Sequence, residues 1–253
     1  MLNVGPVVMS RLRSGSSGFS LIELVWAMAL GMIVLLAAFV VIDRSFAANK
    51  TVTDREDALQ RGRQALELVT RQLRSEVCLP TSPATLPITT GGDQTITFYT
   101  YLGDASAATV ANGQRDAGTN QVFPEQHTIS YVTGTGQTGN KITESDAKVT
   151  GFAPLTVASA YRTTVLATNV ILPDGKLFKY YAGSASGGVS TTPLTTPLSA
   201  TDAASVVQMD VNYKVNPSKI TSTSNSQATI FSNSVFFRSV NPEDTTAQPC
   251  DPN

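Results

Sequence analysis

One carboxylate stands inside the longest apolar run of this 253-residue chain. The run covers residues 19–42, and only Ser20, Glu23 and Gly31 interrupt it. A charged carboxylate costs about 2.5–3.5 kcal/mol at the centre of a bilayer and less near its interface, so Glu23 implies a partner cation or a function. Because Glu23 lies near the start of the run, a helix-end carboxylate that reaches the lipid headgroups is the alternative interpretation.

Other patterns that could support catalysis or ligand binding are weak. Gly134 to Gly139 spell GxGxxG, but no helix follows to form a dinucleotide site, so we predict a hairpin loop. His127 is the only histidine and lacks a Cys or second His for a transition-metal cluster, so a structural or surface role is expected. Asp210 and Asn212 lack the rest of a calcium loop. We therefore expect no catalytic residue, no cofactor and no metal.

A membrane-spanning helix is the element that would position Glu23. The 24 residues 19–42 contain no Pro and would extend about 36 Å as a helix, enough to cross a hydrocarbon core of about 30 Å. Arg11 and Arg13 precede the run, as expected of a cytoplasmic flank. An ordinary secretory signal peptide, cleaved after residues 45–47, is the competing interpretation, but its apolar region would span only about 7–15 residues.

The sequence Gly18-Phe19-Ser20-Leu21-Ile22-Glu23 resembles the processing motif of type IV prepilins and type II secretion pseudopilins. The resemblance implies that residues 1–18 are a leader, which prepilin peptidase removes by cleaving between Gly18 and Phe19. Phe19 would then become the N-methylated terminus. Glu23 would pair with the terminal amine of a neighbouring subunit during assembly, and no enzymatic activity is implied.

A second, amphipathic segment continues the apolar helix over residues 43–79. Its apolar positions recur at helical spacing, and charged residues of both signs occupy the rest. These positions are Leu59, Leu66 and Leu73, with Gly62, Val69 and Val77 beside them. Because no Pro occurs from Phe19 to Val77, one helix of about 59 residues is predicted. The pilin family has such a long helix, although many major pilins bend it with a Pro that is absent here.

Residues 80–253 are rich in hydroxyl side chains, since 46 of these 174 residues are Thr or Ser. Six short β-rich runs between turn signals predict an antiparallel sheet. These runs are Thr95–Leu102, Thr128–Thr133, Thr163–Ile171, Leu177–Tyr181, Val206–Val215 and Thr229–Val240. Pro173-Asp174-Gly175 predicts a turn, and residues 182–201 and 221–227 predict exposed loops. A long helix followed by strands predicts an α+β fold, and the strand order resembles that of larger minor pilins and minor pseudopilins.

The two cysteines are Cys78, at the end of the predicted helix, and Cys250, near the C-terminus. With the basic leader inside the cytoplasm, the head would lie outside it, where disulfides persist. We therefore hypothesise a Cys78–Cys250 disulfide, which would stabilise the fold by up to about 5 kcal/mol in the loop-entropy model. Two unpaired thiols are the alternative.

The charge distribution excludes a chain held on nucleic acid by its overall field. The net charge is −1, and residues 80–253 carry 9 Lys and Arg against 12 Asp and Glu, so no direct nucleic-acid binding is expected. We predict a minor subunit of a type IV pilus or type II secretion pseudopilus. It would sit in the cytoplasmic (inner) membrane as a single-pass protein with an extracytoplasmic head, and then in the filament. Its expected partners are prepilin peptidase, other pilin or pseudopilin subunits, the inner-membrane assembly machinery and, before assembly, lipid. A tip adhesin and a membrane-anchored domain with unrelated activity are the alternatives.

Overall fold

The chain folds as two compact units, Met1–Thr51 and Val52–Asn253, and the boundary falls inside helix α1 (Leu21–Arg74). The computed structural model describes part of each unit. The described residues are 18–77, 79, 86, 88–100, 124–134, 139–152, 154–184, 188–217 and 228–237.

In the first unit, the described residues comprise Gly18 to Ser20 and the helix that follows. The backbone amides of Glu23 and Leu24 donate to the carbonyl oxygen of Ser20 at 2.9 and 3.1 Å, which starts the helix. Its apolar side chains point in all directions and all are exposed; Trp26 and Phe39, for example, keep 64% and 67% of their surface. A helix that is apolar all round requires lipid or other helices around it. Among the described residues, α1 alone is long and apolar enough to cross a membrane.

In the second unit, the remainder of α1 packs on the head through a stripe of mostly small residues. The buried positions are Ala58, Gly62, Ala65, Val69, Thr70 and Leu73. Three residues of the predicted stripe, Gly62, Val69 and Leu73, are buried, and Leu59 and Leu66 pack against the core while only partly buried. The closest approach is at Gly62, where an added Cβ would overlap the ring of Phe231.

The C-terminal end of α1 comes three residues before the predicted one. The amide and Oγ of Ser75 both donate to the carbonyl oxygen of Gln72, at 3.0 and 2.7 Å. Val77 then donates its amide to the carbonyl oxygen of Tyr99 at 2.9 Å. The chain leaves the helix because its backbone pairs with a strand there.

The head contains two antiparallel sheets. The first sheet consists of β1 (Ile88–Gly91), β2 (Thr95–Thr100), β3 (Glu125–Val132), β4 (Lys141–Phe152), β5 (Leu155–Val157) and β6 (Arg162–Thr168). Its order is β1-β2-β3-β4-β5, and β6 pairs with the other end of the long strand β4. The second sheet consists of β7 (Val170–Ile171), β8 (Phe178–Ala182), β9 (Val206–Val215) and β10 (Thr229–Phe236). Both β7 and β8 pair with β9, and β10 lies on its other side. Helix α2 (Ala200–Ser205) precedes β9.

One hydrophobic core joins α1 to both sheets. Leu73 of α1, Phe98 and Ile129 of the first sheet, and Tyr180 and Met209 of the second are all buried in it. The result is an α+β fold in which the second half of a long helix packs on antiparallel sheets, as the sequence predicts.

The predicted strands differ from the observed ones in several places. Thr163–Ile171 is two strands, β6 and β7, because Asn169 adopts a φ of 57° and takes the chain from one sheet to the other. Strand β4 was missed, and so were the short strands β1 and β5. The predicted hairpin loop between Gly134 and Gly139 joins β3 to β4, with residues 135–138 outside the described part.

Candidate functional site

The first candidate site is the start of α1. Gly18, Phe19 and Ser20 precede the helix in a non-helical segment, and Phe19 keeps 81% of its surface exposed. A Cβ added at Gly18 would meet no atom within 4 Å. Glu23 lies in the first helical turn, where the helix dipole favours a negative charge. The bond between Gly18 and Phe19 is thus exposed in a non-helical segment, four residues before Glu23.

No basic side chain of the apolar segment can neutralise Glu23. The sequence contains no Lys, Arg or His from Phe19 to Asp43, and the next basic residue, Arg44, is 21 positions further along the helix, or about 31 Å. A carboxylate in an apolar environment needs a paired cation. The apolar segment itself therefore supplies no cation for Glu23.

The two cysteines of the sequence analysis, Cys78 and Cys250, both lie outside the described residues. Leu79, the residue after Cys78, is buried against Tyr99 and Val149 in a small second cluster of apolar side chains. The disulfide therefore stays a prediction.

A second candidate site, which we call the His127 cluster, lies on the inner face of the first sheet. It consists of His127 on β3, Glu144 and Asp146 on β4, and the flanking residues Glu125 and Arg162. His127 Nδ1 lies 2.8 Å from Glu144 Oε1 and 2.9 Å from Asp146 Oδ1. Arg162 Nε donates to the other oxygen of Asp146 at 2.6 Å. The His127, Glu144 and Asp146 side chains are all buried.

The charges of the cluster support one another. Burial acts to lower the pKa of His127, but the nearby carboxylates of Asp146 and Glu144 outweigh it and raise that pKa to about 9. Burial acts to raise the pKa of Asp146, but His127 and Arg162 outweigh it and hold that pKa below its ordinary value. At neutral pH the cluster therefore contains an imidazolium between two carboxylates.

Sequence reasoning found His127 but missed its partners. The structure places His127 in the core, in agreement with the expected structural role, yet it also brings two acids to the same nitrogen. Glu144 and Asp146 are two residues apart, so on a strand they share one face. That signal was present in the sequence, but it required recognising β4. Asp210, considered as a calcium ligand, instead accepts hydrogen bonds at Oδ1 from Gln208 and Ser234.

Comparison with known proteins gives one match. The family described as "Prokaryotic N-terminal methylation motif" matches residues 13–39, which include Gly18, Phe19 and Glu23. No curated protein and no solved structure matches the chain significantly. The matched residues cover the start of the apolar helix and the segment before it, the part in which the first candidate site lies. This methylation motif, followed by a long apolar helix and an antiparallel β head, supports the resemblance of the chain to the type IV pilin and pseudopilin family.

Proposed function

We propose that the chain is a minor subunit of a type IV pilus or type II secretion pseudopilus. In this proposal residues 1–18 are the removed leader, 19–42 the membrane anchor and later filament core, 43–79 the helix that carries the head, and 80–253 the head. The observation that carries the proposal is the methylation motif directly before an apolar helix with a single acid. The chain acts by assembly, and no catalytic group takes part.

Processing is the first step. Prepilin peptidase cleaves between Gly18 and Phe19, and the Phe19 amine is methylated. N-terminal sequencing of the native protein should find N-methylated Phe19. Gly18→Val should block cleavage, and Gly31→Val is the matched control because neither added Cβ meets an atom within 4 Å. Equal processing of both variants, or a mature protein that begins elsewhere, would contradict this step.

Pairing of Glu23 with a terminal amine is the second step. The amine of Phe19 on a neighbouring subunit supplies the cation that the apolar segment lacks. Glu23→Ala should leave the protein in the membrane fraction but reduce its amount in sheared filaments. Asp43→Ala removes the same charge just beyond the apolar run and serves as the control. Normal incorporation of Glu23→Ala would count against the pairing.

An open strand edge on the head could contact other subunits. Strand β10 is the edge of the second sheet among the described residues, and its outward face exposes Ile230 at 60% and Phe236 at 54%. An open strand edge with apolar side chains can accept a strand or apolar surface of a partner. Quantitative mass spectrometry of sheared filaments tests the minor role: this chain should be far less abundant than the main subunit, and equal abundance would refute it.

The head is proposed to lie outside the cytoplasm, where Cys78 and Cys250 form a disulfide. Intact-mass measurement of the native chain, with and without reductant, tests the pairing. Reduction should add two hydrogen atoms and make both thiols reactive to alkylation. Two thiols that react before reduction would rule the disulfide out.

A further inference from the structure

The His127 cluster has more acceptors than protons to satisfy them. Two carboxylate oxygens converge on His127 Nδ1, which carries one proton, and that proton is directed at Glu144. Asp146 Oδ1 is fully buried and accepts no hydrogen bond from any described residue, although it lies 2.9 Å from the same nitrogen. Buried polar atoms are almost always paired, so an unpaired oxygen at such a convergence requires an explanation.

The opposite side of the imidazole ring has two further buried atoms without a hydrogen-bond partner among the described residues. His127 Nε2 and Glu125 Oε2 are both buried, and neither forms a hydrogen bond within the described part of the chain. They face one another at 3.9 Å, too far for a hydrogen bond. A small movement of the ring toward Glu125 would bring them into contact.

The cluster also carries one more negative than positive charge. Glu125, Glu144 and Asp146 supply three carboxylates, against the guanidinium of Arg162 and one proton on the imidazole. Unbalanced charge is unfavourable at a buried site. Replacing the Nδ1 proton by a divalent cation would balance it, because the imidazole would become neutral while the cation adds two charges.

We propose that His127, Glu144 and Asp146 bind a divalent transition-metal ion of the zinc class. The three ligand atoms lie within 4.8 Å of one another. Zinc bonds to imidazole nitrogen and carboxylate oxygen at about 2.0–2.2 Å, which in tetrahedral geometry separates neighbouring ligand atoms by roughly 3.3–3.6 Å. The observed separations of 2.8 and 2.9 Å therefore need to increase by less than about 1 Å.

The sheet positions these ligands without a loop. His127 pairs with Asp146 across β3 and β4, and Asp146 pairs with Arg162 across β4 and β6. Paired residues of antiparallel strands point to the same face, and Glu144 shares that face as the neighbour two residues away. On its other side His127 stacks on Phe98, with ring centroids 5.8 Å apart. The ligands are thus held by the backbone of the sheet.

The surrounding groups would orient the ligands of such a site. Arg162 binds Asp146 Oδ2 and leaves Oδ1 directed at the metal. With Nδ1 on the metal, the ring proton is at Nε2 and faces Glu125, the carboxylate–histidine–metal arrangement common in zinc proteins. Every unpaired atom of the cluster thereby gains a partner. One imidazole with two carboxylates favours zinc over calcium, which prefers six or more oxygens.

The ion would be structural, because the three ligands are buried and leave no access for a substrate. It would join β3 to β4 in the middle of the first sheet. A metal ion at the His127 cluster would contradict the sequence-based expectation of no metal. It is also independent of the proposed filament role, since it concerns the head alone.

Metal binding can be measured on the full chain in detergent, purified without a His tag and stripped with chelator. After Zn²⁺ addition and gel filtration, metal analysis should find one Zn²⁺ per chain, and the melting temperature should rise. Glu144→Gln should weaken Zn²⁺ binding by at least about tenfold, since loss of even a supporting partner costs that much. Asp174→Asn, an exposed acid paired with Lys179, is the matched control and should bind normally.

Two results would overturn the proposal. One is a wild-type chain that retains no Zn²⁺. The other is that Glu144→Gln retains as much Zn²⁺ as the wild-type chain. Because this variant keeps both cysteines, that result would place the metal at another site. Asp146→Asn gives a second variant, and X-ray absorption of the wild-type complex avoids dependence on variant folding. That spectrum should show one imidazole among nitrogen and oxygen ligands, and sulfur ligation would equally reject the His127 cluster.

Discussion

The contact between Gly62 and Phe231 offers a direct test of how α1 packs on the head. A Cβ at position 62 would lie 2.8 Å from Cδ2 of Phe231 and closer still to two further ring atoms. The ring is buried and stacked on Tyr213, with centroids 5.6 Å apart. The Tyr213 hydroxyl in turn donates to the carbonyl oxygen of Gly62 at 2.8 Å. The ring therefore has little freedom to move away from the helix.

Two opposing effects decide the outcome of Gly62→Ala. Replacing Gly by Ala at an open helix position stabilises by up to about 1 kcal/mol. Forcing a methyl group into a packed core costs about 1–3 kcal/mol. We expect the second effect to exceed the first, with a net loss of about 1 kcal/mol in the free energy of unfolding. For a unit of this size that corresponds to a fall of about 2–4 °C in melting temperature.

The assay must report on the head and not on the apolar helix. The single tryptophan, Trp26, lies in the apolar segment, whereas all seven tyrosines lie between residues 99 and 213. Tyrosine near-ultraviolet circular dichroism of the full chain in detergent therefore follows the head. Gly31→Ala is the matched control, because a Cβ there meets no atom within 4 Å.

A double-mutant cycle separates steric conflict from other causes. Phe231→Leu shortens the side chain opposite Gly62, so Gly62→Ala should be neutral or stabilising in that background. The expected coupling is about 1 kcal/mol or more, as for residues in direct contact. If Gly62→Ala alone raises the melting temperature as an open helix glycine would, the close approach does not limit packing and the reasoning is refuted.

Three further predictions concern the head. In chelator-treated protein, the stabilisation from His127 should be complete below about pH 6.5 and lost as the pH rises through about 9, because folding raises the pKa of His127. Chemical unfolding at several pH values measures this change in the free energy of unfolding, and a free energy that does not vary with pH would contradict the prediction. Ser199 caps α2 by accepting a hydrogen bond from the Asp202 amide at 3.1 Å, so Ser199→Ala should cost about 1 kcal/mol, and an unchanged melting temperature would exclude the cap. Asn169 has a φ of 57°, so Asn169→Ala should lower stability by about 1 kcal/mol relative to Asn169→Gly, a difference that thermal unfolding of the two variants would detect.

The sequence was most informative where a single physical requirement dominates. The apolar run predicted the start of α1 to within two residues. In a membrane, a single apolar segment can form all its backbone hydrogen bonds internally only as a helix. Strand β9 was predicted with its observed bounds, since its apolar and polar residues alternate through nine positions from Val207 to Val215.

Prediction failed where tertiary contacts decide. The pattern of Thr163–Ile171 is continuous, and only the left-handed backbone at Asn169 divides it between two sheets. Likewise the helix stripe is set by small residues such as Ala58 and Gly62, which carry little hydrophobic signal. These small residues let the sheet approach the helix closely, and a single sequence contains no measure of that distance.

Strand β4 was missed because charged residues occupy two of its core-facing positions. Its core-facing positions are Ile142, Glu144 and Asp146, all buried, so two of the three carry charge where the pattern of a half-buried strand requires apolar side chains. Charged side chains on a core face are costly unless something nearby compensates them. Conflict between local pattern and fold is expected at sites retained for a purpose. The two acids that disrupt the strand pattern, Glu144 and Asp146, are the ones that contact His127, and Asp146 also contacts Arg162. A cation bound between them would balance the negative charge that they bring into the core.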